Sequence, residues 1–265
     1  MASSLWHHIL LVRKQAPLVH NITNYVVMNN SANALLAIGA SPIMAHAHQE
    51  IDELSSICQA LVLNIGTLDE LWVKAMLQAA KIAKDNKKPF VLDPVGAGAT
   101  AYRDQALSQL VALKPTVIRG NASEILALAK HHQAKTKGVD STAQSQEAIA
   151  AARFLNSQYG AIVCISGQTD IIISNDTHIE ISNGNALMTK VTGLGCSATA
   201  IIGAFVAVVE DKVEAVAAAT ALMSIAGEIA AQSANGPGSL QMQLLDKLHN
   251  ITELEFEQHL KFKLL

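Results

Sequence analysis

Apolar positions along the chain fall into two kinds of run that alternate. Short runs at 60–65, 89–93, 116–118 and 161–165 are apolar at nearly every position and rich in Val, Ile and Leu. They have strand length and no polar face, which predicts strands buried on both sides. Longer stretches at 69–86, 101–112, 122–131 and 143–158 separate them, with the spacing of helices. Strands buried on both faces, alternating with helices, define an α/β fold with a mostly parallel sheet covered on each side.

The two ends depart from that rhythm. Residues 1–15 predict a helix with Leu5, Ile9 and Val12 on one face, broken by Pro17. The polar cluster at 20–24 then predicts a loop, 25–38 a helix capped by Gly39, and 41–45 an extended piece. Beyond residue 170, the runs 171–174 and 178–182 around Asn175-Asp176 predict a hairpin on the sheet edge. Three Ala-rich helical stretches complete the chain. With no repeat and no Pro- or Ser-rich linker, residues 1–265 read as one domain.

Composition narrows the picture. Half of the 265 residues are hydrophobic and 15% are charged, which excludes disorder. Only 4% are aromatic, so the apolar surface is built from small aliphatic side chains suited to closely packed helices or a buried subunit interface. A net charge of -3 gives no electrostatic case for nucleic acid or an anionic membrane. Cys58, Cys164 and Cys196 have neither CxxC nor framework spacing, against a disulfide scaffold or structural zinc. The start, MASSLWHHILLVRKQ, lacks the features of a signal peptide, so the expected location is cytoplasmic. The apolar run 196–209 is shorter than the roughly 20 residues a membrane span needs, and reads as a buried helix.

In parallel sheets ligands bind at the carboxyl ends of strands, so the polar residues after each apolar run are the candidates. Asp93 precedes Pro94-Val95-Gly96-Ala97-Gly98; it either holds Mg²⁺ beside a backbone open to ligand or caps a turn. Arg119-Gly120-Asn121-Ala122-Ser123-Glu124 reads on local grounds as a helix cap; against that, an Arg, an Asn and a Glu after a strand match a cation and phosphate site. Ser166, after the last parallel strand, is a phosphate contact or an ordinary turn residue. The strongest local signal is Val191-Thr192-Gly193-Leu194-Gly195-Cys196-Ser197, directly before an apolar helix. The backbone N–H groups of Gly193, Leu194, Gly195 and Cys196 would converge with the helix dipole into an anion hole. Neither GxxxxGK nor GxGxxG is present. At a helix N-terminus the Cys196 thiol is expected to have a lowered pKa, whereas Cys58 and Cys164 read as inert core.

Five segments together resemble one family, hydroxyethylthiazole kinase of the ribokinase-like superfamily. They are Val19-His20-Asn21-Ile22-Thr23-Asn24-Tyr25-Val26-Val27, Gly39-Ala40-Ser41-Pro42-Ile43-Met44-Ala45, Val91-Leu92-Asp93-Pro94-Val95-Gly96-Ala97-Gly98, the 119–124 segment and the 191–196 segment. The resemblance covers nearly the whole chain. It implies a three-layer α/β/α sandwich and phosphorylation of the hydroxyl of 4-methyl-5-(2-hydroxyethyl)thiazole, with ATP and Mg²⁺, for thiamine synthesis. It also implies Cys196 as general base, where related sugar and pyrimidine kinases carry Asp. By the same resemblance Met44, Gly193 and Asn24 contact the thiazole, Arg119 and Ser166 contact ATP, and Asp93 and Glu124 hold or orient the metal. A homotrimer with active sites at subunit interfaces is implied as well.

Two positions depart from the family pattern: Leu194 stands where Thr is usual between the glycines, and Ala34 where Gly is usual after Ser31-Ala32-Asn33. Other readings stay open at this level. They are another ribokinase-like kinase, an NAD(P)H-hydrate dehydratase, a Cys/His hydrolase using Cys196, and a thiazole-binding protein with weakened catalysis.

Overall fold

The computed structural model describes residues 2–132 and 141–265. Met1 and residues 133–140, which the single-domain reading includes, lie outside the described residues. The chain opens with α1 (Ala2–Gln15), β1 (Leu18–Ile22), α2 (Met28–Ala37), β2 (Ser41–Ile43) and α3 (Ile51–Ile57). The alternating body follows as β3 (Ala60–Asn64), α4 (Glu70–Asp85), β4 (Phe90–Asp93), α5 (Ala101–Val111), β5 (Val117–Asn121), α6 (Ala122–His132), α7 (Ser141–Tyr159) and β6 (Ile162–Ser166). It closes with β7 (Asp170–Ser174), β8 (Thr177–Ile181), α8 (Leu194–Val208), α9 (Lys212–Ser233), α10 (Pro237–Asn250), α11 (Glu253–His259) and β9 (Phe262–Leu264).

These strands form a nine-stranded sheet in the order β2-β1-β3-β4-β5-β6-β7-β8-β9. Pairing is parallel from β2 through β6 and antiparallel from β6 to β9. Successive residues of each parallel strand feed opposite faces, as a pleated strand must. Val62, Val91, Val117 and Cys164 pack with α1, α2, α8, α9 and α10. Leu61, Leu63, Phe90, Leu92, Ile118 and Val163 pack with α4, α5, α6 and α7. Those two cores make the three layers that the resemblance implied.

Small residues set the packing distance on the first face. A Cβ at Gly203 of α8 would come within 2.4 Å of Val62 Cγ2, so the helix lies directly on β3. In α9, 22 residues long, Ala215, Ala217, Ala218, Ala219 and Ala221 are all buried. By length and composition α9 alone among the described residues could cross a membrane, yet most of it is buried inside the protein, as expected of a core helix.

Several local expectations need correction. The polar segment 20–24 is no loop at its start: Leu18–Ile22 is an internal strand between β2 and β3. Its buried polar side chains find backbone partners, with His20 Nε2 at 2.9 Å from the Ala45 carbonyl and Asn21 Nδ2 donating to the Val19 carbonyl. The helix expected at 25–38 begins three residues later, because Val27 caps it without a side-chain bond and 25–27 form a turn. The short elements α3, α11 and β9 were not anticipated. β9, not the hairpin, is the outer edge beyond β8.

Candidate active site

The polar residues after the strands gather at the carboxyl edge of the sheet, where the start of α8 meets them. Gly193 adopts a left-handed conformation (φ 82°) at the N-cap, and a Cβ there would lie 2.5 Å from Val27 Cγ1. Only glycine meets both requirements. The Ser197 N–H closes the first turn on the Gly193 carbonyl. The N–H groups of Leu194, Gly195 and Cys196 precede that bond and have no intrahelical acceptor to use. Gly195 is exposed, so this positive helix end is open to an anion.

Arg119, from the end of β5, lies alongside: its Nη1 is 3.4 Å from where a Gly195 Cβ would be. The guanidinium is half-buried and, among the described residues, has no hydrogen-bond or ion-pair partner. Its charge bears on two buried carboxyls, Asp93 and Asp170, opposing the effect of burial on each. A half-buried cation left unpaired beside open N–H groups has the donors that a phosphate requires. Ser166 is the register partner of Asn121 across β5 and β6, which places it on the same edge.

A buried hydrogen-bond chain runs from the helix start into the sheet. Asn24 Nδ2 donates to Asn64 Oδ1 (2.8 Å) and toward Cys196 Sγ (3.6 Å). Asn64 Nδ2 donates to Asp93 Oδ2 (2.7 Å), which also accepts from the Thr199 hydroxyl (2.8 Å). Burial pushes the Asp93 carboxyl up to about 6, against the pull of Arg119 and Thr199. Burial, and then the Asp93 charge, push the Cys196 thiol up to about 11. The lowered pKa expected from the helix end alone is therefore wrong. Desolvation and a neighbouring carboxylate outweigh the dipole, and the resting side chain is a thiol. Cys58 and Cys164 are raised likewise, to about 11 and about 12, so what distinguishes Cys196 is its place and its donor, Asn24.

Glu124 does what the capping reading required. Its Oε2 accepts from the Asn121 N–H (2.8 Å) while Asn121 Oδ1 accepts from the Glu124 N–H (2.9 Å). Its Oε1 accepts from the Gly96 N–H (3.0 Å), which ties the turn after β4 to α6. Glu124 also lies close enough to Asp93 to raise its pKa. Among the described residues no three His, Cys, Asp or Glu side chains form a metal cage. Two neighbouring carboxyls, one of them buried and in need of a counter-charge, do suit a magnesium ion that arrives with nucleotide phosphates and keeps its waters.

Met44 follows the edge strand β2 and has no polar link to this cluster; its neighbour Ala45 is held by His20. Leu194 and Ala34, the two departures from the family pattern, line one recess between α2, α8 and α10 together with Met223, Leu244 and Leu248. Leu194 packs there against the apolar core. Both substitutions thus fall behind the helix start.

Four site residues escaped the sequence reading. Asn64 sits as a lone polar residue inside an apolar run, and Thr199 is buried inside an apolar helix; a polar residue in such a run is the signal available. Asp170 accepts from the Gly167 N–H and the Ser224 hydroxyl, both at 3.1 Å, and so fixes the turn after Ser166. Arg103 donates to the Val95 and Gly66 carbonyls, both at 2.8 Å, and to the Ile65 carbonyl, joining the loops after β3 and β4.

The mostly parallel sheet with its antiparallel extension, covered by helices on both faces, is a ribokinase-like fold. A ribokinase-like superfamily protein from Enterococcus faecalis superposes with a TM-score of 0.64 at 15% identity, over 89% of this chain and 88% of that one. The Hydroxyethylthiazole kinase family model matches residues 9–254. A hydroxyethylthiazole kinase from Syntrophus aciditrophicus is 55% identical over 97% of this chain and 95% of its own length. The structure of the hydroxyethylthiazole kinase protein from Pyrococcus horikoshii superposes with a TM-score of 0.92 at 38% identity, covering 99% of both chains. The chain belongs to the hydroxyethylthiazole kinase family.

Proposed function

We propose that this chain transfers a phosphoryl group from ATP to the hydroxyl of 4-methyl-5-(2-hydroxyethyl)thiazole, with Mg²⁺, in thiamine biosynthesis and salvage. Family membership supports the reaction and substrate. The observation that carries the chemistry is the unpartnered Arg119 beside the open N-terminus of α8, with Asn24 and Cys196 on its substrate side.

Arg119, Ser166 and the N–H groups from Gly193 to Cys196 bind the phosphates and take up charge developing on the transferred group. Asp93 and Glu124 would hold or orient magnesium, which would supply positive charge to the phosphate oxygens. Asn24, Gly193 and Met44 line the alcohol's place. The alcohol oxygen bonds to the γ-phosphorus as the bond to the ADP oxygen breaks. Cys196, as the thiolate, takes the hydroxyl proton.

The working unit in this reading is a cytoplasmic homotrimer of one-domain subunits, 1–265, with sites between subunits and no nucleic-acid or membrane partner. Tyr25 and Val26, directly after Asn24 and more than half exposed, supply apolar surface at such an interface.

Arg119→Ala tests the phosphate assignment. Losing a charge-assisted contact worth about 2 kcal/mol is expected to raise the ATP KM by roughly 10- to 100-fold. The KM for the alcohol should stay near wild type. Steady-state kinetics with each substrate varied separates the two, and an unaltered ATP KM counts against the role.

A further inference from the structure

Asn64 has no task in the reaction as written, yet it is the most constrained amide at the site. It is 1% exposed, at the last position of β3. Its Oδ1 accepts from the backbone N–H of Gly66 (2.9 Å). A backbone N–H can only donate, so that bond fixes which end of the amide is oxygen. Its Nδ2 must then face Asp93, 2.7 Å away, and its Oδ1 must receive Asn24 Nδ2.

Asn24 is fixed by the same logic. Its Oδ1 accepts from the Val26 N–H (3.1 Å), which turns its Nδ2 toward Asn64 and Cys196 Sγ. Asn24 also fills the space beside Gly66, where a Cβ would lie 2.6 Å from its Nδ2. The hydrogen bonds are polarised in one direction, from Val26 N–H through two amides to the Asp93 carboxyl. Arg103 ties the loop after Asn64 to the loop after Asp93, since it binds the Gly66 and Val95 carbonyls.

We propose that Asn64 is a positioning residue that sets the orientation of Asn24, and through it the alcohol, beside Cys196 and against Asp93 on the phosphate side. It touches neither substrate; it couples the two halves of the site. The role rests on the thiazole kinase reading for its meaning in turnover, while the hold on Asn24 is a property of the free protein.

Two variants separate coupling from simple core support. Asn64→Asp keeps an acceptor for Asn24 and Gly66 but replaces the amide donor to Asp93 with a second carboxyl, which repels Asp93 or shares one proton with it. Asn64→Ser removes both links. With Asn64→Asp the expected result is a kcat about tenfold or more below wild type and an alcohol KM within about twofold. With Asn64→Ser, kcat falls and the alcohol KM rises as well. Combining Asn64→Ser with Asn24→Ala should raise the alcohol KM little beyond Asn24→Ala alone, because that part of the effect acts through Asn24. A double variant whose effects on the alcohol KM multiply, or wild-type kinetics in both single variants, overturns the proposal.

The side-chain amide resonances of Asn24, read by NMR on the substrate-free protein, give the same test without activity. They should move to exposed, averaged positions in Asn64→Ser and stay near their wild-type positions in Asn64→Asp. Unmoved resonances in Asn64→Ser overturn the proposal whatever the enzyme's substrate. A wild-type protein inactive on the thiazole alcohol, with Asn24 released as expected, overturns the substrate reading and leaves the hold on Asn24 established.

Discussion

Asp93→Asn is expected to stabilise the protein at pH 7 while it removes turnover. Burial raises the folded-state pKa of Asp93 to about 6, so the folded chain keeps this proton to higher pH than the unfolded chain does. Stability from this group is therefore fully present below about pH 4. It declines as pH climbs toward 6. At pH 7 the ionised carboxyl, buried and only partly compensated by the Arg119 charge, costs up to about 3 kcal/mol. Asparagine has the same shape and cannot ionise, and its carbonyl oxygen can take the hydrogen bonds from Asn64 and Thr199 that now reach Oδ2. Melting curves of the two proteins should converge near pH 4 and separate by about 5 °C or more at pH 7, with the variant higher. Turnover should fall by at least ~100-fold, because the amide supplies no charge for the metal and phosphates. A variant less stable than wild type at pH 7 would contradict the assignment of Asp93 as a site carboxyl held at the expense of stability.

The second large effect concerns Cys196. With its thiol pushed up to about 11, on the order of one site in 10⁴ carries thiolate at pH 7. If the thiolate is the base, kcat climbs about tenfold per pH unit from 7 to 9. Cys196→Ala should then lose a further factor of ten for each of those units, while ATP still binds with its wild-type affinity. The loss at pH 7 is expected to be modest, roughly 10- to 100-fold, because so little thiolate is available there and the phosphoryl transition state is stabilised chiefly by positioning and charge. A flat kcat profile shared by wild type and variant would remove the base role. Cys196 would then be a packing neighbour of Asn24 and the alcohol.

The parts of this architecture legible in sequence are those where one physical demand dominates. Runs such as 60–65 and 161–165 had to be strands buried on both faces, and the sheet confirms them as β3 and β6. The glycine-bracketed helix start at 193–196 was legible because a left-handed cap and a close backbone approach both demand glycine. What stayed hidden depends on partners distant in the chain. His20 looked like a loop residue because its partner, the Ala45 carbonyl 25 positions on, becomes visible only after folding. Asn64 was absorbed into an apolar run, since nothing local says that Asn24 and Asp93 will flank it. The thiol of Cys196 was misjudged for the same reason: the helix end is local, whereas its burial and the Asp93 carboxyl, 103 positions away, are set by the fold.

The central claim is tested most directly by incubating the purified protein with ATP, Mg²⁺ and 4-methyl-5-(2-hydroxyethyl)thiazole and following both ADP and the thiazole phosphate ester. The expected result is ester and ADP formed in equal amounts, dependent on the alcohol and on magnesium, and greatly reduced in Asp93→Asn. ADP release that ignores the alcohol, or no ester from a folded protein that binds ATP, would contradict it.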